Sequence, residues 1–152
     1  QMSCAIKDEK ELKAVKKQLL SKHHLKAVLS MPDDLFYPVG VVTCVMVWEA
    51  NKPNAGRKTW FGYFKDDGFE KRKHQGRIDV RGKYKSSIRD KWISAYQNGD
   101  EVAGLSVKYE VKYDDEWCAE AYMETDYSTL SSLDFQQKIR EYIAFKLLNN
   151  IE

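Results

Sequence analysis

Apolar residues recur at helical spacing between Asp8 and Leu20, where Leu12, Val15, Leu19 and Leu20 share a face among lysines and glutamates. The pattern predicts an amphipathic helix that exits through Ser21 and His23-His24. Leu25 to Met31 is a short apolar run, the length of a strand, and Pro32-Asp33-Asp34 stops it. Beyond the corner Leu35-Phe36-Tyr37-Pro38, the stretch from Val39 to Ala50 is β-branched and nearly continuous, which predicts a strand buried on both faces. Asn51 to Gly56 reads as a loop, Lys58 to Phe64 as an aromatic strand, and Lys65-Asp66-Asp67-Gly68 as a turn. Phe69 to Lys85 is basic and weakly patterned, so a long, partly ordered loop is expected. Ile88, Trp92, Ile93 and Tyr96 support a short helix ending near Asn98-Gly99. Leu105 to Tyr113 alternates like a strand. A last helix is expected from Ser132 to Leu148, with Phe135, Ile139, Tyr142, Ile143 and Leu147 on one stripe and a capping box from Ser131 to Asp134.

Composition narrows the class. The 152 residues are 43% hydrophobic and 32% charged, which fits neither a disordered chain nor a membrane protein. No apolar run approaches the roughly 20 residues of a spanning helix. Lys7 to Glu11 is charged almost at once, unlike a signal peptide. Cys4, Cys44 and Cys118 form no metal or redox pair, and an odd number without a framework suits a reducing cytosol. Cys44, inside an apolar run, is expected in the core.

The usual catalytic signatures are missing: there is no phosphate-binding glycine loop, nucleophile elbow or His-Glu-x-x-His helix. His23-His24 reads as a surface pair at a helix end, and His74 as a solvated loop residue. Charge distribution says more than the net +2. Between Lys65 and Lys91 ten basic residues face five acidic ones, whereas Asp114 to Asp126 holds six acids and no cation. A basic loop beside aromatics is what contact with a phosphate backbone requires. The equal alternative is that the basic and acidic segments pair with each other.

The segment from Leu25 to Ala50, LKAVLSMPDDLFYPVGVVTCVMVWEA, resembles a specific piece of adenine-N6 DNA methyltransferases. It is most similar to the methylation (M) subunit of type I restriction-modification systems. The likeness continues through KTWFGYFKDDGFEKRKHQGRID and DEWCAEAYMETDYS, and so covers most of the chain. It implies an α/β fold: the C-terminal portion of a Rossmann-like methyltransferase sheet (helix, strand, antiparallel strand), then an α+β extension ending in a helix. Residues 1–57 would belong to the catalytic domain and 58–152 to the extension, the two forming one structural unit. Met2 to Ile6 resembles the end of a preceding strand, so Gln1-Met2 is expected to mark a cut within a longer enzyme. The family's S-adenosylmethionine loop and Asn-Pro-Pro motif are absent from these 152 residues. The complete enzyme is expected to use S-adenosylmethionine, and this chain alone to bind no cofactor and be inactive.

The resemblance also implies site residues. The family extrudes its target adenine from the duplex, because the amino nitrogen is inaccessible in the stack. An aromatic from the loop between the two strands supplies a face of the pocket, and Phe36 and Tyr37 are the candidates. Lys71, Arg72, Lys73, Arg77 and Arg81 are the candidate DNA-backbone contacts. The implied partners are DNA and the specificity and restriction subunits, in a prokaryotic cytoplasm without membrane attachment. In this fold the antiparallel strand lies between two parallel ones. Here one neighbour is mostly missing, so a homodimer through the open edge or a swapped element is expected, or coverage of that edge by Thr59 to Phe64 or Ser106 to Tyr113. The last helix either packs on the domain or meets a partner subunit. The rival reading is a non-enzymatic α/β module that binds nucleic acid or protein.

Overall fold

The computed structural model describes residues 9–124 and 130–149. The expected strand end at Met2 to Ile6 lies outside them. Helix α1 (Lys10–Lys22) leads into β1 (His24–Ser30), which forms an antiparallel pair with β2 (Cys44–Glu49). Strand β3 (Thr59–Tyr63) runs parallel to β1 on its other side, and β6 (Ser106–Tyr109) closes the sheet antiparallel to β3. The order is therefore β2-β1-β3-β6, with β1 and β3 central. A separate hairpin, β4 (Glu70–Arg72) and β5 (Gly76–Ile78), precedes a π-helical turn at Tyr84–Ile88 and helix α2 (Arg89–Asn98). A 3-10 turn at Ala119–Ala121 and helix α3 (Ser132–Leu148) complete the chain.

Both faces of the sheet are covered. On one, Leu25, Val28 and Phe61 pack with Val111, Trp117 and Ala119. On the other, Ala27, Trp60 and Phe64 pack with Ala95 of α2 and Leu105. Alternation places Ala27 and Val28, and Trp60 and Phe61, on opposite faces, and a bulge between Leu25 and Ala27 shifts Leu25 to the face of Val28. Gly62 lies between two large rings: a Cβ there would fall 2.6 Å from the Trp60 ring. Helix α1 sits over the first face, where buried Lys16 donates from Nζ to the Asp115 carbonyl at 3.0 Å and lies 4.9 Å from the Trp117 ring centroid.

Three expectations change. Strand β2 is not buried on both faces: it is an edge strand with no strand among the described residues on its outer side, its side chains are half-buried or exposed, and Val45 points to a face that nothing covers there. Neither β3 nor β6 covers that edge, since both extend the sheet beyond β1. The stretch 69–85 is a hairpin and a π-helical turn in place of a loop; His74 (φ 63°) and Gly76 (φ 78°) make its tight reversal. Helix α3 forms where expected, and its capping box is present: the Ser131 hydroxyl accepts from the Asp134 amide and the Asp134 carboxylate from the Ser131 amide. Its apolar side chains, including Leu133, Ile139 and Tyr142, are exposed and belong to neither core cluster. Cys44 is half-buried against the first cluster.

Candidate nucleic-acid interface

The loop from Pro32 to Gly40 leaves the C-terminal end of β1 and is wound by successive turns. Leu35, Tyr37 and Val39 donate from their amides to the carbonyls of Pro32, Asp34 and Phe36 at 3.2, 3.0 and 2.8 Å. The Tyr37-Pro38 peptide is cis. These turns leave Phe36 and Tyr37 at the surface, 55% and 46% exposed, an unusual position for two adjacent rings with a core close by.

The base of the loop is anchored. Ser30 is fully buried; its hydroxyl donates to Glu120 Oε2 at 2.6 Å and accepts from the Ala119 amide at 3.2 Å. Lys65 joins Asp33 to Glu120, the latter at 3.2 Å. Partial burial opposes the charge on Lys65, but hydrogen bonds to the two carboxylates prevail and hold its pKa above the ordinary value.

The β4-β5 hairpin folds over the loop. The Arg77 Nε lies 2.9 Å from Asp34 Oδ1, and its Nη2 donates to both oxygens of Asp67 at 2.9 and 3.0 Å. Lys71 pairs with Asp34 at 3.4 Å and lies 5.7 Å from the centroid of the Tyr37 ring. Between loop and hairpin is a cleft of about 450 Å³ whose walls include Leu35, Tyr37, Phe69, Arg77, Tyr84 and Trp92. A row of rings supports it from behind: Trp60, Phe64, Trp92, Tyr84 and Phe69 contact one another in sequence, with Phe64 and Trp92 stacked at 4.4 Å.

The structure thus brings Tyr37 and Arg77 to the same cleft, with Lys71 over the Tyr37 ring, while Phe36 is exposed and is not one of the residues that line it. The five basic candidates differ in exposure. Arg77 departs from a phosphate-contact role: its side chain is 11% exposed and held by two carboxylates, so it fastens the hairpin to the loop. Lys71, Arg72, Lys73 and Arg81 are exposed, although Arg72 and Arg81 lean on Glu70, at 2.9 and 3.8 Å. The basic segment finds most of its counter-charges locally, in Asp34, Asp67 and Glu70; from the acidic stretch, Glu120 pairs with Lys65. Sequence reasoning missed Asp34 and Asp67, whose only signal was their place in two turn motifs.

A sheet flanked by helices, with an antiparallel strand pair carrying an aromatic loop, defines part of a methyltransferase fold. The chain belongs to the N-6 DNA Methylase family, whose model matches residues 3–147. It is 34% identical over 137 residues to the type II restriction enzyme and methyltransferase RM.BcgI of Heyndrickxia coagulans, covering 88% of this chain. The chain spans 21% of that relative's length. Two solved structures share the fold. One is a type I restriction-modification methyltransferase subunit from Streptococcus thermophilus, with a TM-score of 0.59, 16% identity, and coverage of 81% of this chain and 25% of that one. The other comes from work on complex assembly and conformational transition of the type I restriction-modification system. Its TM-score is 0.55 at 19% identity, over 99% of this chain and 35% of that one.

The walls of the cleft offer S-adenosylmethionine no free carboxylate: Asp67, the one carboxylate that lines it among the described residues, accepts from Arg77 at both oxygens. Among the described residues no cluster of His, Cys, Asp and Glu could hold a metal ion, and no helix is long and apolar enough to cross a membrane.

Proposed function

We propose that this chain supplies the target-base pocket and DNA contacts of a site-specific DNA adenine-N6 methyltransferase in a restriction-modification system. The observation that carries the reading is the exposed pair Phe36 and Tyr37, held on a braced loop beside the cations of the β4-β5 hairpin. A flat ring at a cleft mouth is suited to stack on an extruded adenine, and exposed cations beside it are suited to the flanking phosphates. Arg77 positions this pair of elements and leaves phosphate contact to Lys71, Arg72, Lys73 and Arg81. Residues 1–57 contribute the loop and the first two strands, and 58–152 the hairpin.

The whole enzyme transfers a methyl group from S-adenosylmethionine to adenine, acting in the cytoplasm of a prokaryote. This chain alone binds no cofactor and lacks the activity. The open edge of β2 and the exposed apolar side of α3 are where specificity and restriction subunits, or a second copy of this chain, would attach. The same exposed helix favours the alternative, a non-enzymatic α/β module that binds nucleic acid or protein.

Duplex-DNA titration of the chain at several salt concentrations tests the proposal. Reversing charge at Lys71, Arg72 and Lys73 is expected to weaken binding and flatten its dependence on salt. Unchanged affinity and unchanged salt slope would sink the DNA-contact role.

A further inference from the structure

A second cleft, about 400 Å³, opens at the far end of α2 from the first. Its walls carry Lys26 of β1, Lys58 just before β3 and Lys108 of β6, with Trp60 and Tyr96 between them. These cations are far apart in sequence, and strand register gathers them. Ala27 lies opposite Trp60 and Trp60 opposite Lys108, so the patch spans three strands, about 10 Å.

None of the three ammonium groups has an ion-pair partner among the described residues. The acids next to these residues in sequence or strand register form no ion pair with the three lysines. Glu101 accepts from the Lys108 backbone amide at 3.3 Å, Asp100 from Asn98 at 3.4 Å, and Glu49 pairs with Lys52 and Arg57. The hairpin cations Lys71, Arg72, Arg77 and Arg81 are, by contrast, already paired. Unpaired cations gathered on one surface are the arrangement that gains most from a polyanion, because neutralised phosphates release their counterions.

We infer that the lysine cleft is a second contact for DNA-backbone phosphates, on the same duplex that reaches the aromatic loop. This rests on the DNA-binding reading of the first cleft. The two clefts lie at opposite ends of β1, one at His24 and Lys26 and the other at Met31 and Pro32, roughly 20 Å apart along the strand, the rise of about six base pairs. The aromatic row is continuous between them, since Tyr96 packs edge-on against Trp60 at 5.5 Å. A free phosphate or nucleotide suits the cleft less well. Gln97 to Gly99, at the C-terminal end of α2, form one wall and offer no amide cradle for a compact anion, so contact with phosphates falls to the three lysines.

The test is duplex-DNA binding by the 152-residue chain across a salt series, comparing K26Q/K58Q/K108Q with K26R/K58R/K108R. The glutamine variant is expected to lose roughly a hundredfold in affinity near 0.1 M salt, with the slope of log K on log salt reduced by about 2.7. The arginine variant is expected to keep both, which separates charge from folding. Unchanged binding by the glutamine variant, with the Lys71 to Lys73 reversal still damaging, overturns this inference and leaves the first site standing. Loss in both glutamine and arginine variants also overturns it, because charge would then not be the cause. Inorganic phosphate or ATP displacing DNA at micromolar concentration identifies a small-anion site and overturns the DNA assignment.

Discussion

Arg77 reaches across from the β4-β5 hairpin to place its guanidinium 2.9 Å from Asp34 in the aromatic loop. With Asp67 on its other side, it makes one unit of two segments that the sequence separates widely. Removing the cation would leave the buried Asp67 carboxylate without its charge partner, the situation in which a broken ion pair costs most.

Arg77→Ala is therefore expected to lower stability by about 3 kcal/mol and detach the hairpin from the loop. Urea unfolding measures the first effect and hydrogen exchange of 70–78 the second. A loss below about 1 kcal/mol, typical of surface pairs, would show that the clamp is ornamental.

Gly62→Ala is expected to destabilise by about 1–3 kcal/mol. The new methyl would sit 2.6 and 2.7 Å from ring atoms of Trp60, which is itself packed against Phe64 and Tyr96 and cannot easily yield. Calorimetric unfolding checks it, and an unchanged midpoint would mean that the ring moves freely.

Ser30→Ala removes the acceptor for the Ala119 amide and a donor to Glu120 in a fully buried position. An unsatisfied buried amide costs about 1–3 kcal/mol. Equilibrium denaturation should show that loss, whereas Ser131→Ala at the exposed cap of α3 should cost about 1 kcal/mol of local helix stability.

Burial pushes the Cys118 thiol up from 9.0 to about 11, with the carboxylates of Glu120 and Glu116 adding to the effect. The folded chain thus keeps a proton that the unfolded chain releases above pH 9. This contribution to stability is whole below pH 9 and is lost as pH rises through about 11. Alkylation at pH 8 should spare Cys118 while the chain is folded; modification as fast as that of an unfolded control would contradict the burial.

Much of the sheet was legible in the sequence because periodicity and stop signals agree there. Leu25 to Met31 ends at Pro32, and the register of β1 with β2 follows; the Ser131 cap likewise marked α3. The hairpin was illegible because three-residue strands carry no alternation, and its reversal depends on His74 adopting a left-handed conformation. The burial of β2 was misjudged because an apolar strand looks alike whether its edge is covered or open. Tertiary pairs stayed hidden as well: nothing near Asp34 indicates Arg77, and Lys26, Lys58 and Lys108 meet only through strand register.

The central claim is that the aromatic loop receives an extruded adenine. A fluorescent adenine analogue at the target position of duplex DNA, bound to the active methyltransferase that contains this sequence, reports extrusion directly. Phe36→Ala is expected to reduce the fluorescence rise, with the extrusion equilibrium falling roughly tenfold or more and cofactor affinity unchanged. Full extrusion in both Phe36→Ala and Tyr37→Ala would contradict the account.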